Sequence, residues 1–212
     1  DWFVEQLRDA MCQALAHGEQ MAVLLINLDR FKDVNDSYGH AVGDEVLRHS
    51  TAQVRMSLRP GDLVGRMAGD EIAVLARNLR HSDGAAAVAQ HMIAAASKPW
   101  RTPDGIEVVA GVSVGISMFP EHARTAEQLL QGAHSAVYGA KARGRGAHCF
   151  FDESMIQAAR ERLEIEARLR SALAQGHLRL YYQPQVDIAT GRIEGAEALM
   201  RAASRGVDCR LL

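Results

Sequence analysis

The sequence is short of several residue types and patterns, and each shortage excludes a class of protein. Only three of the 212 residues are cysteines, and no CxxC or HExxH pattern occurs, so we expect neither a disulfide framework nor a zinc site. No apolar run approaches the roughly 18 residues that a membrane-spanning helix needs. The 24 basic and 26 acidic side chains leave a net charge of only −2, so no general attraction to nucleic acid or to an anionic membrane is expected.

The chain does contain enough apolar material for a packed core, since 48% of its residues are hydrophobic. Its length fits one large domain or one domain followed by a fragment. Helix-like spacing starts at the first residues, which suggests a piece of a longer protein that could be anchored in a membrane through segments outside this chain. We expect this piece to be cytoplasmic, with no contact to a membrane or to nucleic acid.

One stretch combines a predicted hairpin with paired acids. The apolar runs Leu63–Met67 and Ile72–Leu75 flank a tight turn that contains Gly69, Asp70 and Glu71. Adjacent carboxylates at a strand tip suit a divalent cation such as Mg²⁺, which prefers oxygen ligands. A solvated Gly-Asp turn is the alternative interpretation.

Alternating helix and strand patterns predict an α/β (α+β) domain that ends at Phe151. Met21–Leu28 is almost continuously apolar, as expected of a strand buried on both faces, and polar residues follow it where α/β sheets place ligand sites. The order β-α-β-β-α-β-β-α-β predicts a ferredoxin-like, mostly antiparallel sheet with helices on its faces. The predicted helices of this domain are Trp2–Ala16, Glu45–Leu58, Gly84–Ser97 and Ala126–Ala142, the last of them capped by Thr125.

After Phe151 the pattern changes to one long helix followed by a hairpin. The helix is predicted at Ser154–Gln175, and Gly176 ends it. Two β-prone segments, Leu178–Tyr182 and Ile193–Leu199, then form a hairpin that would be marginal by itself. We interpret this region as a linker helix followed by the beginning of a second domain.

Several motifs at matching spacing make the span from Met21 to Phe151 similar to the GGDEF domain, the diguanylate cyclase fold that condenses two GTP molecules into cyclic di-GMP. The resemblance is carried by Asp29–His40 with Gly43-Asp44, by Arg66–Ile72, by Val114–Ile116 and by Ala136–Arg145. It implies the nucleotidyl-cyclase type of the ferredoxin-like fold. We assign residues 1–151 to this domain, without the first residues of the family's domain.

The tail resembles the start of an EAL domain, a cyclic di-GMP phosphodiesterase module that often follows GGDEF. Tyr181–Asp187 and Gly195–Arg201 carry this resemblance, so we interpret residues 152–176 as the linker helix and 177–212 as a truncated EAL domain. Glu197 stands at the family's first metal ligand. The other ligands and the catalytic base would lie downstream, so we expect no phosphodiesterase activity from this chain. Residues 202–212 do not resemble an EAL continuation, and a frameshift or premature ending is one hypothesis for them.

The GGDEF resemblance implies a guanine nucleotide after the first strand. Asn35 and Asp44 would hydrogen-bond the guanine edge, because Asp44 accepts from ring N–H groups and Asn35 both donates and accepts. Helix capping and turn formation are their alternative roles. Backbone N–H groups of Phe31 and Lys32 would contact phosphates at a helix start, and Gly69 would allow close approach of the ligand.

Two basic residues near the end of the predicted helix Ala126–Ala142 have two open interpretations. By resemblance, Lys141 and Arg145 would reach the terminal phosphates, where cations offset concentrated negative charge. A basic helix C-terminus favoured by the helix dipole explains them equally well.

Asp70 takes the family's position of metal ligand and general base, and Glu71 stands beside it as the second catalytic residue. The resemblance implies that Asp70, Asn27 and the backbone carbonyl of Leu28 hold Mg²⁺ or Mn²⁺. A metal-polarised 3′-hydroxyl of one GTP would then attack the α-phosphate of the other. Each protomer supplies one GTP, so two domains would have to meet face to face as a homodimer.

Three departures from the family's pattern argue against an efficient cyclase. Asn27 replaces a metal-binding Asp, so a charge is lost and we expect any metal to be held weakly. Ala68 replaces the first signature Gly, and its methyl group is expected to crowd the phosphates and to disfavour a positive φ. Ile72 replaces Phe, which is a core change that we expect to be tolerated.

A separate motif, Arg59-Pro-Gly-Asp62, fits the family's RxxD inhibitory site for cyclic di-GMP. Arg59 could grip a phosphate or a guanine bidentately, and Asp62 could accept from guanine. An exposed turn is the alternative.

The sequence therefore favours a degenerate GGDEF domain that binds GTP or cyclic di-GMP and regulates an EAL module downstream. A slow diguanylate cyclase and a structural dimerisation domain without nucleotide are the alternatives.

Overall fold

The structure is a computed structural model, and it describes residues 2–102, 105–204 and 207–209, with side chains up to residue 201 except that of residue 159. The chain divides into two compact units, Asp1–Ile156 and Gln157–Leu212. The helix that follows the first domain crosses this boundary.

A five-stranded sheet forms the centre of the first unit, and two short strands form a separate ribbon. The strands of this unit are β1 (Gln20–Leu28), β2 (Leu63–Arg66), β3 (Glu71–Leu79), β4 (Trp100–Arg101), β5 (Glu107–Val108), β6 (Val112–Phe119) and β7 (His148–Phe150). The strand order in the sheet is β2-β3-β1-β6-β7. All of its pairs are antiparallel except β6 with β7, as the predicted mostly antiparallel architecture requires.

Helices cover both faces of the sheet, and strand β1 is buried between them. The helices are α1 (Trp2–His17), α2 (Phe31–Met56), α3 (Ser82–Ala96), α4 (Ala126–Ala142) and α5 (Glu153–Ala174). The side chains of Leu24 and Ile26 join a core with α2 and α3, whereas those of Val23 and Leu25 join a core with α1 and α4. This alternation explains why β1 is apolar at almost every position.

Helix α2 begins at Phe31, where the family resemblance implied a helix start, whereas the apolar pattern predicted a helix only from Glu45. The polar segment after β1 is therefore helical, and it is interrupted at Gly39, which has φ 82° and ψ 164°. Only a residue without Cβ adopts this conformation easily, so Gly39 allows two helical pieces to join at a kink.

Helix α4 is fixed at its start and along its length. Thr125 forms the predicted cap as a full capping box, in which its side chain accepts from the N–H of Gln128 and the Gln128 side chain accepts from the N–H of Thr125. Along its length the helix packs directly on β6 at Gly115, where an added Cβ would overlap the backbone of Ala133 and Val137. Strand β6 therefore lies in close backbone contact with α4.

The second unit contains the predicted hairpin in a longer form. Strands β8 (Leu178–Val186) and β9 (Ile193–Ser204) pair antiparallel, and β10 (Val207–Cys209) pairs with β9. The sequence did not predict β10. In the described part of the chain, no helix combines the length and the apolar character that crossing a membrane requires.

Candidate functional site

The candidate site lies where β1 ends and where three strands present polar side chains to the face covered by α4. Asn27 is aligned with Glu71 on β3 and with Ser113 on β6, so the three side chains lie side by side on one face. Asn27 is only 7% exposed. A buried polar cluster next to an otherwise apolar core needs hydrogen-bond partners, and α4 supplies two of them.

Lys141 contacts Asn27 directly. Its Nζ donates to the amide Oδ1 of Asn27 at 2.6 Å, across 114 positions of sequence. Lys141 is thus brought to the end of β1, and the contact uses the oxygen that was expected to face a metal ion. The basic-helix-end interpretation does not explain this contact, because it requires only proximity to the last carbonyls of the helix.

His134 is a site residue that the sequence analysis missed. Its Nε2 lies 3.0 Å from Oε2 of Glu71, and its Nδ1 lies 3.0 Å from the backbone oxygen of Leu130. His134 and Lys141 are seven residues apart, which is about two helical turns, so they share one side of α4. The seven-residue spacing is the feature of the sequence that could have pointed to His134. It could not show which strand residues the two side chains contact.

Asp29 connects three segments around the site through hydrogen bonds. Its carboxylate accepts from the hydroxyl of Ser113 at 2.7 Å and from the N–H of Gly146 at 3.1 Å. Its own N–H donates to the carbonyl of Gly111 at 2.8 Å. These three bonds tie together the end of β1, the start of β6 and the loop before β7, so Asp29 does not take over the role of the carboxylate missing at Asn27.

The turn between β2 and β3 has the predicted form but not the predicted strain. The N–H of Glu71 donates to the carbonyl of Ala68 at 3.1 Å, and Gly69 takes the positive φ of 60°. Ala68 is not among the non-glycine residues with positive φ. The expected conformational penalty at Ala68 was therefore wrong, because Gly69 alone supplies the left-handed residue. Ile72 is fully buried in the core, as expected of a tolerated replacement.

The predicted guanine-binding residues lie on α2 around its kink. Oδ1 of Asn35 is buried without a hydrogen-bond partner in the structure, and an added Cβ on Gly43 would overlap it. Phe31 borders the same place, while Asp44 is exposed. A buried amide oxygen without a partner is costly, which is typical of a site that a ligand completes.

The predicted phosphate-binding residues differ in their exposure. Lys32 lies in the first turn of α2, where backbone N–H groups have no helical partner, and it is exposed. Arg145 follows α4, is exposed and has a positive φ of 65°.

Arg59 and Asp62 lie in a different place, in a cleft of about 400 Å³. The two carboxylate oxygens of Asp62 accept from the N–H of Arg59 and from the N–H of Arg77, each at 3.1 Å. Asp62 therefore shapes the turn, while the Arg59 side chain remains exposed. Nε of Arg77 is buried in the structure without a hydrogen-bond partner. The cleft is lined by Gln13, His17, Glu19, Arg59, Pro60, Gly61, Asp62, Arg77 and Asn78.

This fold, with acids in the β2–β3 turn and cations on α4, agrees with a family match. Residues 1–147 match the family described as "Diguanylate cyclase, GGDEF domain", and residues 166–208 match the EAL domain. The chain belongs to the GGDEF family, and the start of an EAL domain follows its GGDEF domain. The EAL match includes residues 202–208, which were expected not to resemble an EAL continuation.

Solved and curated relatives agree with this family. The GGDEF domain of TpbB (YfiN) from Pseudomonas aeruginosa superposes with a TM-score of 0.73 and 40% identity, over 75% of this chain and 92% of that one. The bifunctional diguanylate cyclase/cyclic di-GMP phosphodiesterase MucR of P. aeruginosa is 37% identical over 93% of this chain. The cyclic di-GMP phosphodiesterase NbdA of the same organism is 36% identical over 94% of this chain. This chain spans only 28% and 25% of the lengths of MucR and NbdA.

GGDEF domains use divalent metal ions, and the donors implied for one at the end of β1 carry little charge. The implied donors are the carboxylate of Asp70, the amide oxygen of Asn27 and the carbonyl of Leu28, which together carry one negative charge. The amide oxygen is already hydrogen-bonded to the ammonium of Lys141. Within the described ranges, no group of three or more His, Cys, Asp or Glu side chains is arranged to hold a metal ion.

Proposed function

We propose that this chain is part of a cyclic di-GMP signalling protein and that its GGDEF domain is degenerate. It binds GTP or cyclic di-GMP and regulates the EAL module, and it is not an efficient cyclase. The observation that carries the proposal is the 2.6 Å contact between Lys141 and Asn27. The position that would receive a catalytic cation offers a neutral, already paired oxygen, so Mg²⁺ or Mn²⁺ is held weakly at Asp70, Asn27 and Leu28.

The residues proposed to bind the guanine of GTP support nucleotide binding without efficient turnover. The unpartnered Oδ1 of Asn35 gains a partner when a guanine N–H group donates to it. Asp44 is exposed and free to accept from the same edge. Phosphates then lie toward the first turn of α2 at Phe31 and Lys32, and toward the cations Lys141 and Arg145.

Cyclic di-GMP binds in the cleft beside Arg59. Arg59 is exposed there, and Arg77 lines the same cleft and has a buried Nε without a hydrogen-bond partner in the structure. Two guanidinium groups suit the phosphates and the guanine edges of a cyclic dinucleotide. In this proposal Asp62 orients the loop through its two backbone hydrogen bonds and accepts from guanine with its remaining lone pairs.

The relatives favour a regulatory role next to an EAL domain. MucR and NbdA are both named for cyclic di-GMP phosphodiesterase activity, and each is several times longer than this chain. We assign residues 1–151 to the regulatory domain, 152–176 to the linker and 177–212 to the start of the EAL domain. The nucleotide state of the first domain passes through the linker helix, and engaged domains pair as homodimers in the cytoplasm.

Calorimetry with GTP and with cyclic di-GMP in Mg²⁺, followed by a product assay, tests this proposal. Arg59→Ala is expected to abolish the heat of cyclic di-GMP binding, while Arg80→Ala, an exposed arginine at the end of β3, leaves it unchanged. Asn35→Ala is expected to weaken GTP binding only. Rapid formation of cyclic di-GMP would contradict the proposal. Absence of binding heat with both nucleotides would also contradict it and would favour the alternative of a structural dimerisation domain.

A slow cyclase is the second candidate, and the shape of the β2–β3 turn favours it. Gly69 provides the positive φ, so Ala68 does not distort the presentation of Asp70 and Glu71. If a slow activity exists, Asp70→Ala abolishes it without lowering the melting temperature. Product that persists in Asp70→Ala would contradict the proposed role of Asp70 as metal ligand and general base.

A further inference from the structure

Helix α4 covers the paired residues Asn27 and Glu71 with two nitrogen-bearing side chains. These two strand residues are register partners on β1 and β3. Lys141 donates to Asn27 at 2.6 Å, and Nε2 of His134 lies 3.0 Å from Glu71. Both side chains are therefore already in contact with polar groups of α4.

The helix that delivers Lys141 has little freedom to withdraw. Its first turn is held by the capping box at Thr125, and its middle packs on Gly115 so closely that no Cβ fits between them. Lys141 itself is half-buried. Movement of the ammonium away from Asn27 would therefore require the lysine side chain to change its rotamer, because the helix cannot shift away from a close-packed sheet without losing its packing.

A divalent ion at Asn27 would meet this ammonium at close range. Two cations on one neutral amide oxygen repel each other, and Asn27 carries no charge to offset that repulsion. The carboxylate of Asp29 is held by Ser113 and Gly146, and that of Glu71 by His134. Compensation by either acid would have to compete with these contacts, and Asp70 is the one charged donor that the implied metal position retains.

We infer that Lys141 supplies the positive charge that a divalent ion would otherwise bring to the end of β1, so that a nucleoside triphosphate binds here without a divalent metal. An ammonium has three N–H donors. One is used on Asn27, which holds the group in place, and two remain for phosphate oxygens. This inference rests on the proposed function, because it concerns how the same site binds its nucleotide.

The first experiment uses Mn²⁺ alone and needs no nucleotide. Free and bound Mn²⁺ are measured by electron paramagnetic resonance for the wild-type chain, for Lys141→Met and for the double variant Asn27→Asp/Lys141→Met. We expect the double variant to bind Mn²⁺ at least about tenfold more tightly than wild type, because a charge is added and a competing cation is removed. The control is Arg143→Met, which removes one positive charge from an exposed position at the end of α4 and is expected to bind Mn²⁺ as wild type does.

Wild type that binds Mn²⁺ as tightly as the double variant would overturn the inference. Melting curves establish whether each variant folds. If the double variant does not fold, the comparison of Lys141→Met with Arg143→Met decides: tighter Mn²⁺ binding in Lys141→Met supports the inference, and equal binding overturns it.

The second experiment measures GTP binding to wild type by calorimetry, once with EDTA and once with Mg²⁺. We expect dissociation constants that agree within about twofold, and a marked loss of affinity in Lys141→Met under both conditions. A tightening of about tenfold or more on adding Mg²⁺ would overturn the inference. Absence of GTP binding in both buffers would overturn nucleotide binding as such, while the Mn²⁺ result would still decide whether Lys141 excludes the ion.

Discussion

The imidazole of His134 and the carboxylate of Glu71 face each other at 3.0 Å, although 63 positions separate them in the sequence. The pair connects the middle of α4 to the first residue of β3, directly after the acidic turn. It therefore fixes Glu71 with respect to the same helix that carries Lys141. The contact is partly open to solvent, with 47% of the His134 side chain and 25% of the Glu71 side chain exposed.

Loss of this pair is expected to cost little stability. His134→Ala should lower the free energy of unfolding by about 0.2–1 kcal/mol, the range of partly exposed polar pairs, and less at high salt where the imidazole is protonated. Urea unfolding at low and high salt measures the effect. The control is His91→Ala, at an exposed position on α3, which should change stability by only a few tenths of a kcal/mol. Equal losses in both variants would show that the pair contributes nothing.

Gly115 is expected to tolerate no side chain. An added Cβ would overlap the backbone of Ala133 and Val137 on α4, so Gly115→Ala should destabilise the domain by about 1–3 kcal/mol or more. Urea denaturation measures this loss. Gly139→Ala on α4 is the comparison, because its Cβ would first meet the sulfur of Cys149 at 3.3 Å, and a change within about 1 kcal/mol is expected there. Similar stabilities of the two variants would contradict the close packing at Gly115.

Gly43 tests the role of Asn35 without removing that residue. In Gly43→Ala the new methyl group would displace the Asn35 amide, which is a movable side chain, so GTP affinity should fall by about tenfold. Stability should not fall, because alanine favours a helix over glycine by up to about 1 kcal/mol. Calorimetry and a melting curve measure both quantities, and Asn35→Ala should reproduce the binding loss. Wild-type GTP affinity in folded Gly43→Ala would argue against Asn35 as the guanine contact.

His49 is expected to make stability depend on pH. Its ring stacks on Trp100 with the centroids 4.6 Å apart, and desolvation by burial lowers the pKa of His49 below its ordinary value. The unfolded chain therefore binds the proton more readily than the folded protein does. The contribution of neutral His49 to the free energy of unfolding is present above the unfolded pKa, about 6.5, and is lost as pH falls through the folded pKa. His49→Phe keeps a stacking ring without a charge, and its melting temperature should fall less than that of wild type between about pH 7.5 and about pH 5.5. An identical fall in both proteins would exclude His49 as a cause.

The sequence determined the local features of this protein. The apolar run Met21–Leu28 predicted a strand buried on both faces, and Thr125 predicted the start of α4, because strand burial and helix capping depend on residues close in sequence. The spacing of the motifs around Asn35 and Asp70 also predicted the family, and the family match confirmed it. The apolar pattern by itself missed the start of α2, because the residues before the kink at Gly39 are polar and look like a loop although they are helical.

Only the tertiary structure decided what these residues contact. Strand register places Asn27 beside Glu71, and the packing of α4 on Gly115 sets which of its side chains reach them. Neither relation has a local signal, because the contact from Lys141 to Asn27 spans 114 positions and depends on where helix and sheet dock. The sequence predicted a weakened metal site at Asn27 from the loss of one charge. The structure adds that a cation of the protein itself, the ammonium of Lys141, lies on that oxygen.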